Sequence, residues 1–248
     1  MNRATLGIAA LLLFSTTLFA ASIEKKTITS GGIARTYYLL VPDTVTKEHP
    51  APLIVMLHGS GRRGNLLLEH WKSLAEKEGI VLAGPDSSDP QAWNTATDRP
   101  ELLRDVVDDV KTIAPIDEHR IYLFGHSAGA RYALLLGLFE SEYFAAVAVH
   151  AGALPQDNKK TLLNLATRKT PFAIIVGKND SLFPLNVVRA TRDMLKRDGF
   201  VIELTEIPNH DHNYYILSQS INETAWTFLK SRTLDQPQKF TVYPSGGG

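Results

Sequence analysis

The 248-residue sequence predicts an α/β fold, one mostly parallel central sheet with helices on both faces. Short apolar runs alternate with longer runs of helical periodicity from residue 23 onward. The run at 52–57 has no polar alternation, as a strand covered on both faces requires. No internal repeat interrupts the pattern, and the length suits one large domain.

Residues 23–29 and 35–41 read as two strands, and Ser30-Gly31-Gly32 between them suits a hairpin turn. Residues 52–57 form a central strand that ends in His58-Gly59. An amphipathic helix over 66–78 is stopped by Gly79, and a short strand over 80–83 is halted by Gly84-Pro85. Leu102, Leu103, Val106, Val107, Val110 and Ile113 recur at helical spacing. Then follow strand 120–124, helix 128–139, strand 145–149 and a short helix at 161–166. Strand 172–176, a helix over 185–197 closed by Gly199, strand 201–207 and a helix over 214–230 complete the pattern. Such alternation implies βαβ units, hence a parallel sheet.

Arg3 precedes an uncharged stretch from Leu6 that ends in Ala20-Ala21-Ser22. This pattern predicts a signal peptide over 1–21, cleaved between Ala20 and Ser22. It is short for a membrane span, which needs about 20 apolar residues. The expectation is a secreted or periplasmic protein with no stable membrane insertion after cleavage. The folded domain is expected over 22–232, followed by a loosely held polar tail over 233–248. There is no cysteine, so neither a disulfide nor lipid attachment is available. Lys+Arg and Asp+Glu both number 26, which leaves no basic excess for nucleic acid, and none is expected as a partner.

Gly125-His126-Ser127-Ala128-Gly129 lies between an apolar strand and a helix-forming run. That is the strand–turn–helix context of a nucleophile elbow, as in α/β-hydrolases, and it makes Ser127 the expected nucleophile. The turn forces a strained serine, and side chains at 125 and 129 would collide with backbone. The bland alternative is a serine that only caps the helix.

The remaining machinery is expected later in the chain in the order acid, then base. Asp180 follows the strand at 172–176 and is the expected acid. Pro208 is followed by Asn209-His210-Asp211-His212-Asn213, so two histidines compete for the base. His212, about four residues past the strand end, is favoured, and His210 fits a tighter turn. The same pair could suggest a metal site, but two loop histidines without further ligands are too few. No metal or cofactor is expected. The oxyanion donors are expected to be the backbone N–H groups of Ala128 and of Ser60, in the loop His58-Gly59-Ser60-Gly61. His58 itself is expected to anchor that loop.

Arg35–Pro42, Pro52–Gly59, Ile116–Tyr122 and the Gly125–Gly129 elbow together resemble polyhydroxybutyrate depolymerase-like and feruloyl or acetylxylan esterase-like proteins. Trp93-Asn94 stands where these esterases often carry a tryptophan beside the site. The resemblance spans about residues 30–230. It implies an α/β-hydrolase fold and a Ser-Asp-His triad acting on an ester, either small or linked to a polysaccharide or polyester. Ala130 where glycine is common, the missing cysteines and the doubled histidine are departures from the pattern. About 22 residues separate the strands at 145–149 and 172–176, which leaves no room for a large cap. The open site is expected to be lined by Trp93 and Tyr214, with Phe183 and Tyr215 nearby. A serine peptidase or amidase on the same fold, and a non-catalytic ligand-binding relative, are the alternatives.

Overall fold

Gly31 and Gly32 both take positive φ, 58° and 78°, which gives a two-residue turn the twist of a hairpin. It joins β1 (Glu24–Ser30) to β2 (Ile33–Leu40) in antiparallel register. The structure is a computed structural model that describes residues 21–155, 157 and 159–241. Of the expected signal peptide, all but Ala21 therefore lies outside the described residues.

The remaining elements are β3 (Ala51–Leu57), α1 (Gly64–Glu78), β4 (Val81–Pro85), α2 (Pro100–Ile113), β5 (Ile116–His126), α3 (Ala128–Phe139), β6 (Ala146–His150), α4 (Lys159–Leu163), β7 (Phe172–Gly177), α5 (Leu185–Arg197), β8 (Ile202–Ile207) and α6 (Ser218–Leu229). The eight strands form one sheet in the order β1-β2-β4-β3-β5-β6-β7-β8. β1 and β2 run antiparallel, and β4, β3 and β5 to β8 pair in parallel. The expected fold class is met.

Alternation along the central strands sorts the core into two layers. Leu53, Val55, Leu57, Leu123, Val147 and Ile174 face α2, α3 and α5. Ile54, Met56, Tyr122, Phe124, Ala148 and Ile175 face α1 and α6, where Trp71 is fully buried. Each such aliphatic side chain contributes roughly 1.5–3 kcal/mol on burial. α1 stops where expected, because Gly79 takes the left-handed conformation (φ 67°) and closes the helix on Ala75. Among the described residues the segment between β6 and β7 holds only α4, and none of them forms a cap over the sheet.

Two expectations change. The helix expected over 214–230 is broken: Tyr214–Ile216 is a 3-10 turn, and α6 begins only at Ser218. The Asn213 side chain accepts the Tyr215 N–H, and the Leu217 N–H donates to Tyr214 O, which tightens that turn. The tail is held as far as Thr241. Leu234 is buried and exchanges hydrogen bonds with His119, Phe240 packs edge-on against Tyr143, and the Thr241 N–H donates to Glu140. Apolar residues at 234 and 240, within an otherwise polar tail, supply that anchorage.

Candidate active site

The bend after β5 fixes Ser127. Its backbone sits at φ 56°, ψ −114°, a region that costs a non-glycine residue about 1–3 kcal/mol. The turn is tight enough that a Cβ on Gly125 would strike the Gly129 carbonyl, and one on Gly129 would strike Leu57 O. The Ser127 N–H donates to His150 O at 3.1 Å, which ties the bend to β6. The hydroxyl is left half-exposed at the start of α3.

From that hydroxyl a hydrogen-bonded row runs inward. Ser127 Oγ lies 2.9 Å from His212 Nε2, and His212 Nδ1 lies 2.9 Å from Asp180 Oδ2. A carboxylate only accepts, so the imidazole proton stands on Nδ1 and Nε2 is free to accept from the hydroxyl. The Asp180 side chain is fully buried, and its Oδ1 accepts the Leu182 and Phe183 N–H groups, each at 2.9 Å. Phe183 stacks on the His212 ring at 5.8 Å and 11°, holding it in plane with the row.

His210 is turned away from this row. The His210-Asp211 backbone lies so close on Gly177, at the end of β7, that a Cβ there would collide with both carbonyls. His210 O accepts the Asn179 N–H at 2.8 Å, which pins the residue inward. Its ring is buried beside His150, with centroids 5.4 Å apart. Of the two competing histidines, only His212 reaches Ser127.

The loop after β3 lies against the same bend. A Cβ on Gly59 would stand 3.3 Å from Ser127 Cβ and 3.0 Å from His126 Cδ2, so only glycine lets this backbone approach so closely. Ser60 lines the cleft that holds Ser127 and also a second hollow beside it, and Ala128 lines that second hollow at the start of α3, whose first N–H groups have no partner within the helix. His58 anchors the loop as expected. It accepts the Ser87 N–H on Nε2 and turns Nδ1 to Gly59 O at 2.9 Å. Burial lowers its pKa, so it is neutral.

Trp93 is half-buried. Its indole N–H donates to His58 O, and its ring stacks on Tyr132 at 5.4 Å and 12°. It lines the second hollow, beside Ala128. Tyr214 requires a correction: it is fully buried with its hydroxyl donated to Asn222, so it cannot touch a ligand. Its neighbour Tyr215 lines the cleft instead.

Five residues escaped the sequence reading, Arg131 beside Ala128 among them. Arg62 and Leu182 line the cleft mouth. His126 and His150, partners across β5 and β6, form a buried pair behind His212 with Nδ1 atoms 3.1 Å apart. Burial, with His212 adding to it, pushes His126 down to about 3, and burial with His126 pushes His150 down to about 2. Their positions lie one or two residues beyond the expected strands at 120–124 and 145–149, which in the structure extend to end on them. Among the described residues no cluster of three His, Asp or Glu side chains could hold a metal.

Residues 92–229 match the phospholipase/carboxylesterase family. The chain belongs to that family. The match contains Ser127, Asp180 and His212, and it begins after the Ser60 loop. Relatives bear out the resemblance read from the sequence. A bifunctional acetylxylan esterase/xylanase of Neocallimastix patriciarum is 25% identical over 157 residues, 61% of this chain and 22% of that one. A poly(3-hydroxybutyrate) depolymerase of Ralstonia pickettii is 24% identical over 149 residues, 52% of this chain and 30% of that one. The chain spans about half or less of the length of the curated relatives it matches. A ferulic acid esterase structure from Anaeromyces mucronatus superposes with a TM-score of 0.70 at 17% identity, over 86% of this chain and 92% of that one, which places this family member in the α/β-hydrolase fold. No helix among the described residues is long and apolar enough to cross a membrane.

Proposed function

We propose that the protein is a carboxylic ester hydrolase that works through an acyl-enzyme on Ser127. The observation that carries this reading is the row Ser127–His212–Asp180, closed by two contacts of 2.9 Å. Ser127 Oγ attacks the ester carbonyl carbon while its proton passes to His212 Nε2, and Asp180 stabilises the imidazolium. The negative oxygen is received by the N–H groups of Ser60 and Ala128, each worth about 3–4 kcal/mol of barrier. Collapse expels the alcohol, which takes the proton from His212. A water then gives a proton to His212 and attacks the acyl carbon, releasing the acid and restoring Ser127. No step calls for a cofactor.

The uncapped cleft suits a small ester or one borne on a polymer, in keeping with the acetylxylan and polyhydroxybutyrate named for the relatives. Residues 1–21 support export to the periplasm or beyond, which fractionation of the expressing cell tests.

The catalytic reading is tested with a fluorophosphonate probe and p-nitrophenyl acetate. S127A is expected to lose both labelling and turnover. H212A is expected to lose at least about a thousandfold in kcat, while H210A, whose ring points to His150, loses far less. Equal losses in the two histidine variants, or exclusive cleavage of aminoacyl p-nitroanilides, would refute the assignment.

A further inference from the structure

Two hollows share Ser60 in their walls, and of these two limbs only the first includes Ser127 and His212. One, about 430 Å³, is lined by Ser127, His212, Arg62, Leu182, Asp211 and Tyr215. The other, about 360 Å³, runs along α3 past Ala128 and is walled by Gln91, Trp93, Arg131 and Tyr132. On the catalytic reading above, the leaving oxygen takes its proton from His212, so the alcohol belongs in the limb that His212 lines. The acyl chain is then directed past the Ala128 N–H into the other.

Among the described residues Arg131 is the one formally charged side chain lining that second limb, whereas in the first limb Asp211 accompanies Arg62. The surrounding groups leave it little to do internally. Trp93 has given its N–H to His58 O and Tyr132 its hydroxyl to Asp98 O, so these residues present only ring surface to the limb. Asp98, whose carbonyl accepts that hydroxyl, is already paired with Arg35. The Arg131 N–H donates to Ser127 O, which places Arg131 one backbone turn beyond Ser127, the residue that precedes α3. A cation in the first turn also works against the field of the helix, so fold stability does not account for it.

We propose that Arg131 selects esters whose acyl chain ends in a carboxylate, held about one helical turn from the reacting carbonyl. The proposal rests on the Ser127 reading. Arg–carboxylate pairing supplies the recognition, and the aromatic wall supports the intervening methylenes.

The test compares monomethyl glutarate with methyl pentanoate, which share a five-carbon acyl group and differ in the terminal carboxylate. Hydrolysis is followed by pH-stat titration. The expected kcat/KM ratio favours the glutarate ester by about fivefold or more at low ionic strength, and the advantage shrinks in high salt. R131Q brings the ratio to about one, and R131K, a point charge without the planar fork, falls between. R62Q, in the other limb, leaves the ratio within about twofold. Calorimetric binding of both esters to S127A repeats the comparison without turnover. A ratio near one in active enzyme, or a preference kept by R131Q or removed by R62Q, overturns the assignment. No turnover of either ester, with charge-selective binding to S127A intact and lost in S127A/R131Q, supports the role of Arg131 and overturns the catalytic reading instead.

Discussion

Replacing Asp180 by Asn isolates what the buried acid does, because the change keeps shape and removes only charge. The carbonyl oxygen of the new amide can still accept the Leu182 and Phe183 N–H groups, each now 2.9 Å from Oδ1. Its NH2 group then faces His212 Nδ1, which must become an acceptor. The ring proton moves to Nε2 and points at Ser127 Oγ, where it blocks proton uptake. The transition state also loses an ion pair of unit charges at 2.9 Å. At an effective dielectric near 20 such a pair is worth roughly 6 kcal/mol. That corresponds to about four powers of ten in rate, in line with the tautomer argument. The assay is kcat on p-nitrophenyl acetate at pH 8, with near-UV circular dichroism to establish that the fold is kept. A loss under about tenfold in folded protein would show that Asp180 does not orient the base.

Two further substitutions test the scaffold. His126 and His150 are held neutral by burial, so the unfolded chain binds protons that the native one refuses. Stability is therefore full above about pH 6.5 and declines as the pH falls toward their folded values, since the state with more bound protons gains on acidification. Between pH 7 and pH 5 the His150 site alone accounts for about 2 kcal/mol of loss. In urea unfolding H150F should lose correspondingly less over that interval, and an unchanged slope would refute the argument. Asp98 is fully buried and pairs with Arg35 at 2.7 Å while accepting the Ser88 and Asn94 N–H groups. D98A strands the guanidinium and should cost about 3–5 kcal/mol, a fall of roughly 10 °C in Tm. A scanning calorimetry shift of only a degree or two would show the pair to be dispensable.

The sequence foretold the sheet and its helices because both signals are local. Residues 52–57 are apolar on both faces and become β3, buried throughout. The α3 bounds coincide with the expected 128–139 because the elbow and the apolar run fix both ends. The base was harder to read. Choosing between His210 and His212 depends on how the loop after β8 meets Gly177 of β7, a contact between segments 33 residues apart in sequence. The role of Tyr214 was misjudged for a related reason. A tyrosine next to a site histidine looks the same whether its ring turns outward or inward, and the 3-10 turn that sends it inward leaves no mark in hydropathy. Arg62 and Arg131 were equally hidden, because nothing in the periodicity says which surface arginines border a cleft.

The contrast between Ser127 and its partners has one physical origin. A strained residue persists only where its neighbours leave it no alternative. At Ser127 several of those neighbours are close in sequence: Gly125 and Gly129 touch across the bend, and Arg131 donates back to Ser127 O, while Leu57 and His150 close it from adjoining strands. Much of the constraint is thus written into positions 125–131, and a short pattern suffices to find it. Asp180 and His212 sit in no such strain, for neither has a positive φ. They are placed by loops whose geometry is decided by the strands they leave, β7 and β8, and by the packing of Phe183 on the imidazole. Only residue type and chain order are left to mark them. It follows that a substitution at 129 should damage the fold and the site together, whereas one at 183 should change His212 orientation and kcat with little effect on stability.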